Sequence, residues 1–304
     1  AGFNGSILAY DQTGSGKTFT MIGPDTGSDL LASDARGLVS RLYDYIFHEI
    51  ETRSSSTMQY HCQCSALEVY NGVQLIDLLV DKSQACPLLT VRQNTTGFYV
   101  DGLALVPIKD AEAAHRCILQ ATARRRVAST NMNATSSRSH ILFSLIINCT
   151  HVMGGSASHT TSTRFTLVDL AGSEDQRTSQ TDGEALKEAA QINKSLSALG
   201  NVILALTDKR KEKKSHVPYR DSILTKLLMG ALGGNSKTCL IANISPARRC
   251  HDDTVSTLSF AARAKNITVK SWRLQAWLDQ KCRNYERELQ RLQQQIETLQ
   301  DSPG

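Results

Sequence analysis

The sequence predicts an α/β fold in which a mostly parallel central sheet is covered by helices on both faces, and three observations lead there. Apolar runs of strand length alternate with longer segments of helical period. The first of these runs, Ile7-Leu8-Ala9-Tyr10, passes through a turn rich in Gly, Ser and Thr into a helix start at Phe19-Thr20-Met21. The chain of 304 residues is 40% hydrophobic, enough for one large core, yet no apolar run approaches the roughly 20 residues of a membrane span.

Taken in order, a strand near 5–10 is uninterruptedly apolar, as a buried parallel strand should be. Helices follow near 17–22 and 37–50, then a strand near 59–70, in which Cys62 and Cys64 are expected on opposite sides. Strands near 141–150 and 163–169 precede helices near 184–207 and 220–231, a strand near 238–244 and a helix near 253–264. After about residue 272 the composition shifts to Gln, Glu and Arg. There Leu278, Cys282, Tyr285, Leu289, Leu292, Ile296 and Leu299 step by four and three, an a/d seam over a C-terminal helix at 276–300. A short coiled coil or an amphipathic helix folded back on the domain both satisfy that pattern. Eight cysteines without CxxC spacing, with Cys149 and Cys239 inside apolar runs, read as reduced core thiols rather than a disulfide framework or a metal site.

The turn after the first strand is Tyr10-Asp11-Gln12-Thr13-Gly14-Ser15-Gly16-Lys17-Thr18, a nucleotide-binding P-loop at every diagnostic position except the first, where Asp11 replaces Gly. Gly14 and Gly16 let successive backbone N–H groups turn toward phosphate oxygens, Lys17 reaches the β- and γ-phosphates, and the Thr18 hydroxyl is suited to Mg²⁺. This makes the sheet one of the P-loop NTPase type.

Two further segments extend the pattern. Asn133-Ala134-Thr135-Ser136-Ser137-Arg138-Ser139-His140 gathers hydroxyls, an amide and an arginine at the entrance of the strand Ile141–Ile147, where they suit closing a Mg²⁺ shell and holding a water in line with a γ-phosphate. By itself such a segment also reads as a solvated loop. In Leu167-Val168-Asp169-Leu170-Ala171-Gly172-Ser173-Glu174 a β-rich run ends in an acid and a glycine, the form of a Walker B strand followed by a γ-phosphate sensor. Asp169 is then placed to hold Mg²⁺ through water and the Gly172 N–H to approach phosphate closely.

With these three segments the chain resembles a kinesin motor domain, a family whose P-loop has the form GQTGSGKT and whose switch segments read NxxSSRSH and DLAGSE. Further matching stretches are Glu188-Ala189-Ala190-Gln191-Ile192-Asn193-Lys194-Ser195-Leu196, His216-Val217-Pro218-Tyr219-Arg220-Asp221-Ser222, Leu232-Gly233-Gly234-Asn235 and Phe260-Ala261-Ala262-Arg263-Ala264-Lys265. The resemblance covers Gly2 to about Ile267, so the expected organisation is a motor domain over 1–267, a neck linker-like segment at 268–275 that matches the family poorly, and a coiled coil at 276–300 that would pair two copies through residues 278–299. The chain opens on Ala1 almost at the P-loop strand. Kinesins resembling it carry about three strands and a helix upstream, including an RxRP segment that stacks on adenine, so a fragment or incomplete product is expected.

The resemblance implies an ATPase using ATP and Mg²⁺, located in the cytoplasm on the microtubule cytoskeleton. Residues 11–18 (Asp11, Gln12, Thr13, Gly14, Ser15, Gly16, Lys17 and Thr18) would bind ATP; Thr18, Ser137 and, through water, Asp169 would hold the ion. Ser136 and Arg138 would position water, Gly172 would read the γ-phosphate, and Arg138 would pair with Glu174 when both switches close. The helix beginning near Glu188 would carry Asn193 to tubulin, alongside Tyr219, Arg220 and Lys226.

The formal net charge is only +5, but Lys209, Arg210, Lys211, Lys213 and Lys214 place five cations within six residues. Beside the tubulin-facing segment that run suits an acidic partner; without interleaved aromatic residues it does not suit nucleic acid. Asp175 and Ile223 stand where the family usually carries a basic residue. Arg124-Arg125-Arg126 is open between helix-end capping and ligand contact.

Asp11 points to a different function. A carboxylate about 6 Å from a phosphate charge costs roughly 3 kcal/mol at an effective dielectric near 20, which keeps a non-catalytic or weakly catalytic microtubule-binding or dimerisation module as the alternative to the expected function, a microtubule motor that couples ATP hydrolysis to movement. A GTPase is the remoter possibility, since no NKxD-like segment is present.

Overall fold

The computed structural model describes residues 3–24, 34–80, 88–95, 97–131, 138–152, 158–174, 184–208 and 216–269. Its centre is a seven-stranded sheet built from β1 (Asn4–Tyr10), β2 (Met58–Tyr70), β3 (Gln74–Asp77), β6 (Val106–Ile108), β7 (Ser139–Val152), β8 (Ser158–Asp169) and β9 (Ser236–Ala242). The order is β3-β2-β7-β8-β1-β9, with β6 on the same edge of β2 as β3. The strands β4 (Thr90–Asn94) and β5 (Gly97–Asp101) form a separate hairpin.

The period of two along each strand divides the core between the two faces. On β1, Ala9 and Ile7 join one cluster while Leu8 and Tyr10 join the other; on β8, Leu167 and Val168 divide in the same way. The first cluster is closed by α1 (Lys17–Met21), α2 (Leu38–Arg53) and α3 (Ala111–Asn131), through residues such as Met21, Tyr43, Phe47 and Ile118. The second is closed by α4 (Glu184–Thr207), α5 (Ile223–Leu227) and α6 (His251–Ala264), through Ile192, Leu199, Val202, Leu224 and Phe260.

The α/β class and the helices on both faces are as expected, but the sheet is mixed. Parallel pairing is confined to β8-β1-β9. The pairs β7–β8, β2–β7, β2–β3 and β2–β6 are antiparallel. Only residues 153–157 separate β7 from β8, far too few for the crossover that parallel neighbours require.

Three other expectations change. Cys62 and Cys64 share a face and both lie in the first cluster, because residues two apart on a strand point the same way. Cys239 is exposed and Cys149 half-buried, so an apolar neighbourhood in sequence did not make either a core thiol. The helix expected near 220–231 is a 3₁₀ turn at Tyr219–Asp221 followed by the single turn of α5. Ser222 is extended (φ −145°, ψ 159°) and starts α5 afresh with a capping box to Thr225. The heptad region and most of the segment at 268–275 lie outside the described residues. Among the described residues no helix is long and apolar enough to cross a membrane.

Candidate nucleotide site

The parallel half of the sheet brings the site together. β1 and β8 run side by side with Ala9 opposite Asp169, so the P-loop and the segment 170–174 leave the same edge of the sheet as neighbours. The backbone ties them further: Leu170 N–H donates to the Ala9 carbonyl at 3.4 Å and Ser173 N–H to that of Asp11 at 3.1 Å. Gly14 (φ 80°) and Gly16 (φ 98°) hold the left-handed geometry that lets the loop turn back on itself before α1.

Inside the loop, Lys17 is 7% exposed, and its ammonium donates to the carbonyls of Asp11 (2.9 Å) and Gln12 (2.6 Å). Burial pulls its pKa down, opposed by Asp169, Glu174 and Asp11. The Thr18 hydroxyl donates to Asp169 Oδ2 at 2.6 Å, while Asp169 Oδ1 is buried without a partner. Glu174 reaches back across the loop, accepting from Thr13 N–H (2.8 Å) and from the Thr13 hydroxyl (2.5 Å). Gly172 is buried beside that contact, and a side chain there would collide with the Glu174 carboxylate and the Thr13 hydroxyl. In this arrangement the Glu174 carboxylate is engaged with Thr13. Ser136 and Ser137 lie outside the described residues.

Asp11 departs most from expectation. Its side chain has no exposed surface and is turned toward α6, where Oδ1 accepts from the Thr257 hydroxyl at 2.6 Å. It is the middle rung of three: the Tyr10 ring stacks on Phe260 (centroids 3.9 Å apart), and Gln12 Nε2 donates to Cys250 Sγ at 2.8 Å. The φ of Asp11 is negative, so replacing glycine brings no left-handed strain. A carboxylate directed at α6 rather than into the loop weakens the repulsion on which the non-catalytic alternative rests.

Of the three arginines, Arg125 lies among carboxylates. It is 9% exposed on α3, with Nη1 3.4 Å from Asp169 Oδ2 and Nε 3.9 Å from the buried Glu68 on β2. Its neighbour Arg124 donates instead to the Leu78 carbonyl at 3.4 Å. A lone buried arginine among three is visible in sequence only if α3 is placed first, since one turn separates it from Ala121 on the core face.

The kinesin motor domain model matches residues 1–267. The chain belongs to the kinesin motor family. It is 48% identical over 271 residues to kinesin-like protein KIN-12F of Oryza sativa subsp. japonica, an alignment covering 88% of this chain and 10% of that protein. A solved structure of a fast kinesin superposes with a TM-score of 0.78 at 42% identity, over 89% of this chain and 73% of that one. A KIF14 dimer, in a two-heads-bound state with AMP-PNP in complex with a microtubule, superposes with a TM-score of 0.77 at 38% identity, over 90% and 74% of the two chains. The chain spans 10 to 24% of the length of the curated relatives it matches. Kinesin motor domains are nucleotide-binding ATPases.

Of the residues assigned by resemblance to the tubulin-facing side of a kinesin, Asn193 and Lys226 are half-buried and Arg220 is exposed, its guanidinium donating to Gln93 Oε1 at 2.9 Å. The Tyr219 hydroxyl donates to the Leu232 carbonyl at 2.5 Å and its ring packs against the second core cluster, so this side chain has a structural task. Ile223 packs against the same cluster, which accounts for an apolar residue at that position. Asp175 and the basic run from Lys209 to Lys214 lie outside the described residues.

Proposed function

We propose that the chain is the motor part of a microtubule-based motor protein, coupling ATP hydrolysis to movement along microtubules. The observation that carries this reading is the meeting of Lys17, Thr18, Asp169 and Glu174 around one loop at the ends of β1 and β8. A buried ammonium, a hydroxyl–carboxylate pair and a carboxylate that clasps the loop are parts suited to a phosphate-reading site.

Mg²⁺ fits the residues present, because the unpartnered Asp169 Oδ1 and the adjacent Thr18 hydroxyl are hard oxygen donors. Thr18, Ser137 and, through water, Asp169 would hold the ion, which when bound offsets charge on the β- and γ-phosphates. Lys17 would leave its two carbonyl partners for phosphate oxygens, and the amides of residues 13–18 would supply the remaining donors. Ser136 and Arg138 would orient the attacking water. Glu174 would exchange Thr13 for Arg138 as the two switch segments close, and Gly172 would sense the γ-phosphate.

The partner would be the microtubule, contacted through Asn193, Arg220, Lys226 and the basic run Lys209, Arg210, Lys211, Lys213 and Lys214, on the cytoskeleton of the cytoplasm. Residues 278–299 would pair two copies. Co-sedimentation with microtubules tests the reading. Tighter binding with AMP-PNP than with ADP is expected, and binding indifferent to nucleotide would contradict it.

A further inference from the structure

His140, the second residue of β7, has 1% of its surface exposed, and its two ring nitrogens meet different partners. The backbone N–H of Ala171 lies 2.9 Å from Nδ1. An amide N–H only donates, so Nδ1 carries the lone pair and the ring proton sits on Nε2. Nε2 therefore donates to Ser195 Oγ at 2.9 Å, and the Ser195 hydroxyl in turn donates to the Ile192 carbonyl at 2.7 Å. Burial, reinforced by the charges of Lys17 and Arg125, pushes the imidazole down to about 3, so the neutral ring and this tautomer persist at any physiological pH.

The result is a directional chain of hydrogen bonds from the residue before Gly172 to the middle of α4. One end adjoins the segment that clasps Thr13 through Glu174; the other lies two positions from Asn193. The apolar contacts between the same elements, through Leu142, Ile192 and Leu196, resist separation but specify no direction. A buried bond with one donor and one acceptor at each step fixes register as well as distance.

We propose that His140 is a positioning residue that ties the loop after β8 to α4, so that a shift of Gly172 moves the helix carrying Asn193, while His140 itself touches no phosphate. This rests on the reading of the chain as a microtubule-dependent ATPase. Ser195→Ala and His140→Asn cut the same link from its two ends, the second keeping an acceptor for Ala171 N–H.

The experiment measures microtubule affinity with ADP and with AMP-PNP, together with nucleotide affinity and thermal midpoint. The unaltered chain should bind microtubules on the order of tenfold differently in the two states. Each single variant and the double variant should bring that ratio to within about twofold of unity, with nucleotide affinity held within about threefold. The double variant should lose no more than either single one, as expected for one shared connection. Ser195→Ala keeps the ring and is nearly isosteric, so it decides the matter even where His140→Asn does not fold. Variants that retain the full ratio overturn the tie alone; an unaltered chain whose affinity ignores the nucleotide overturns the motor reading and the tie with it.

Discussion

Asp11 carries the most consequential side-chain direction in the molecule. Its Oδ1 holds Thr257, its Oδ2 is buried without a partner, and its main-chain carbonyl accepts from both Lys17 and Ser173. The residue therefore acts as a joint between the P-loop and α6 rather than as a charge facing phosphate. Asp11→Gly should lose the Thr257 bond and lower stability by about 1–3 kcal/mol, with nucleotide affinity unchanged or weaker. Asp11→Asn should raise the thermal midpoint, because it keeps the acceptor for Thr257 and removes a formal charge from a site without exposure. Calorimetry and nucleotide titration check both; a gain of tenfold or more in affinity for Asp11→Gly would reinstate phosphate repulsion. The sequence showed Lys17, Thr18, Asp169 and Glu174 because each sits at a fixed offset within a short motif. It hid the direction of Asp11, whose partner lies 246 residues away.

At the scale of elements, α3 was the helix the periodicity missed. Its core face is made of Ala114, Cys117, Ile118 and Ala121, mostly small residues that give little apolar contrast. Its start was legible in principle, since Asp110 accepts from Ala113 N–H at 2.7 Å as an N-cap does. The β7–β8 hairpin was hidden for a different reason: two runs of apolar and hydroxyl residues look alike whether their strands pair parallel or antiparallel, and direction follows only from the length of the connection. α3 matters because Arg125 ties it to β2 and β8 through Glu68 and Asp169. Arg125→Ala should leave two buried carboxylates without their cation and cost about 3–5 kcal/mol in chemical denaturation. A loss below about 1 kcal/mol would show that those carboxylates do not depend on it.

Over the whole molecule, the two halves of the sheet divide the work. The parallel strands β8, β1 and β9 line up the loops that converge on the P-loop, while the antiparallel strands β7 and β2 supply width and core. α6 and the turn that opens it are fastened to the P-loop by three successive side chains, and α4 to the loop after β8 by His140. A change at the P-loop end of the sheet thus has physical routes to both helices on the second face. Family membership was legible because each of the three motif segments is contiguous in sequence; the routes from the P-loop and the loop after β8 to the helices were not, since they join side chains distant in the chain. The steady-state rate of ATP hydrolysis by this chain, with and without microtubules, tests the central claim most directly. Stimulation of about tenfold or more, abolished by Lys17→Ala, is the predicted result; hydrolysis at one rate whether or not microtubules are present would contradict it.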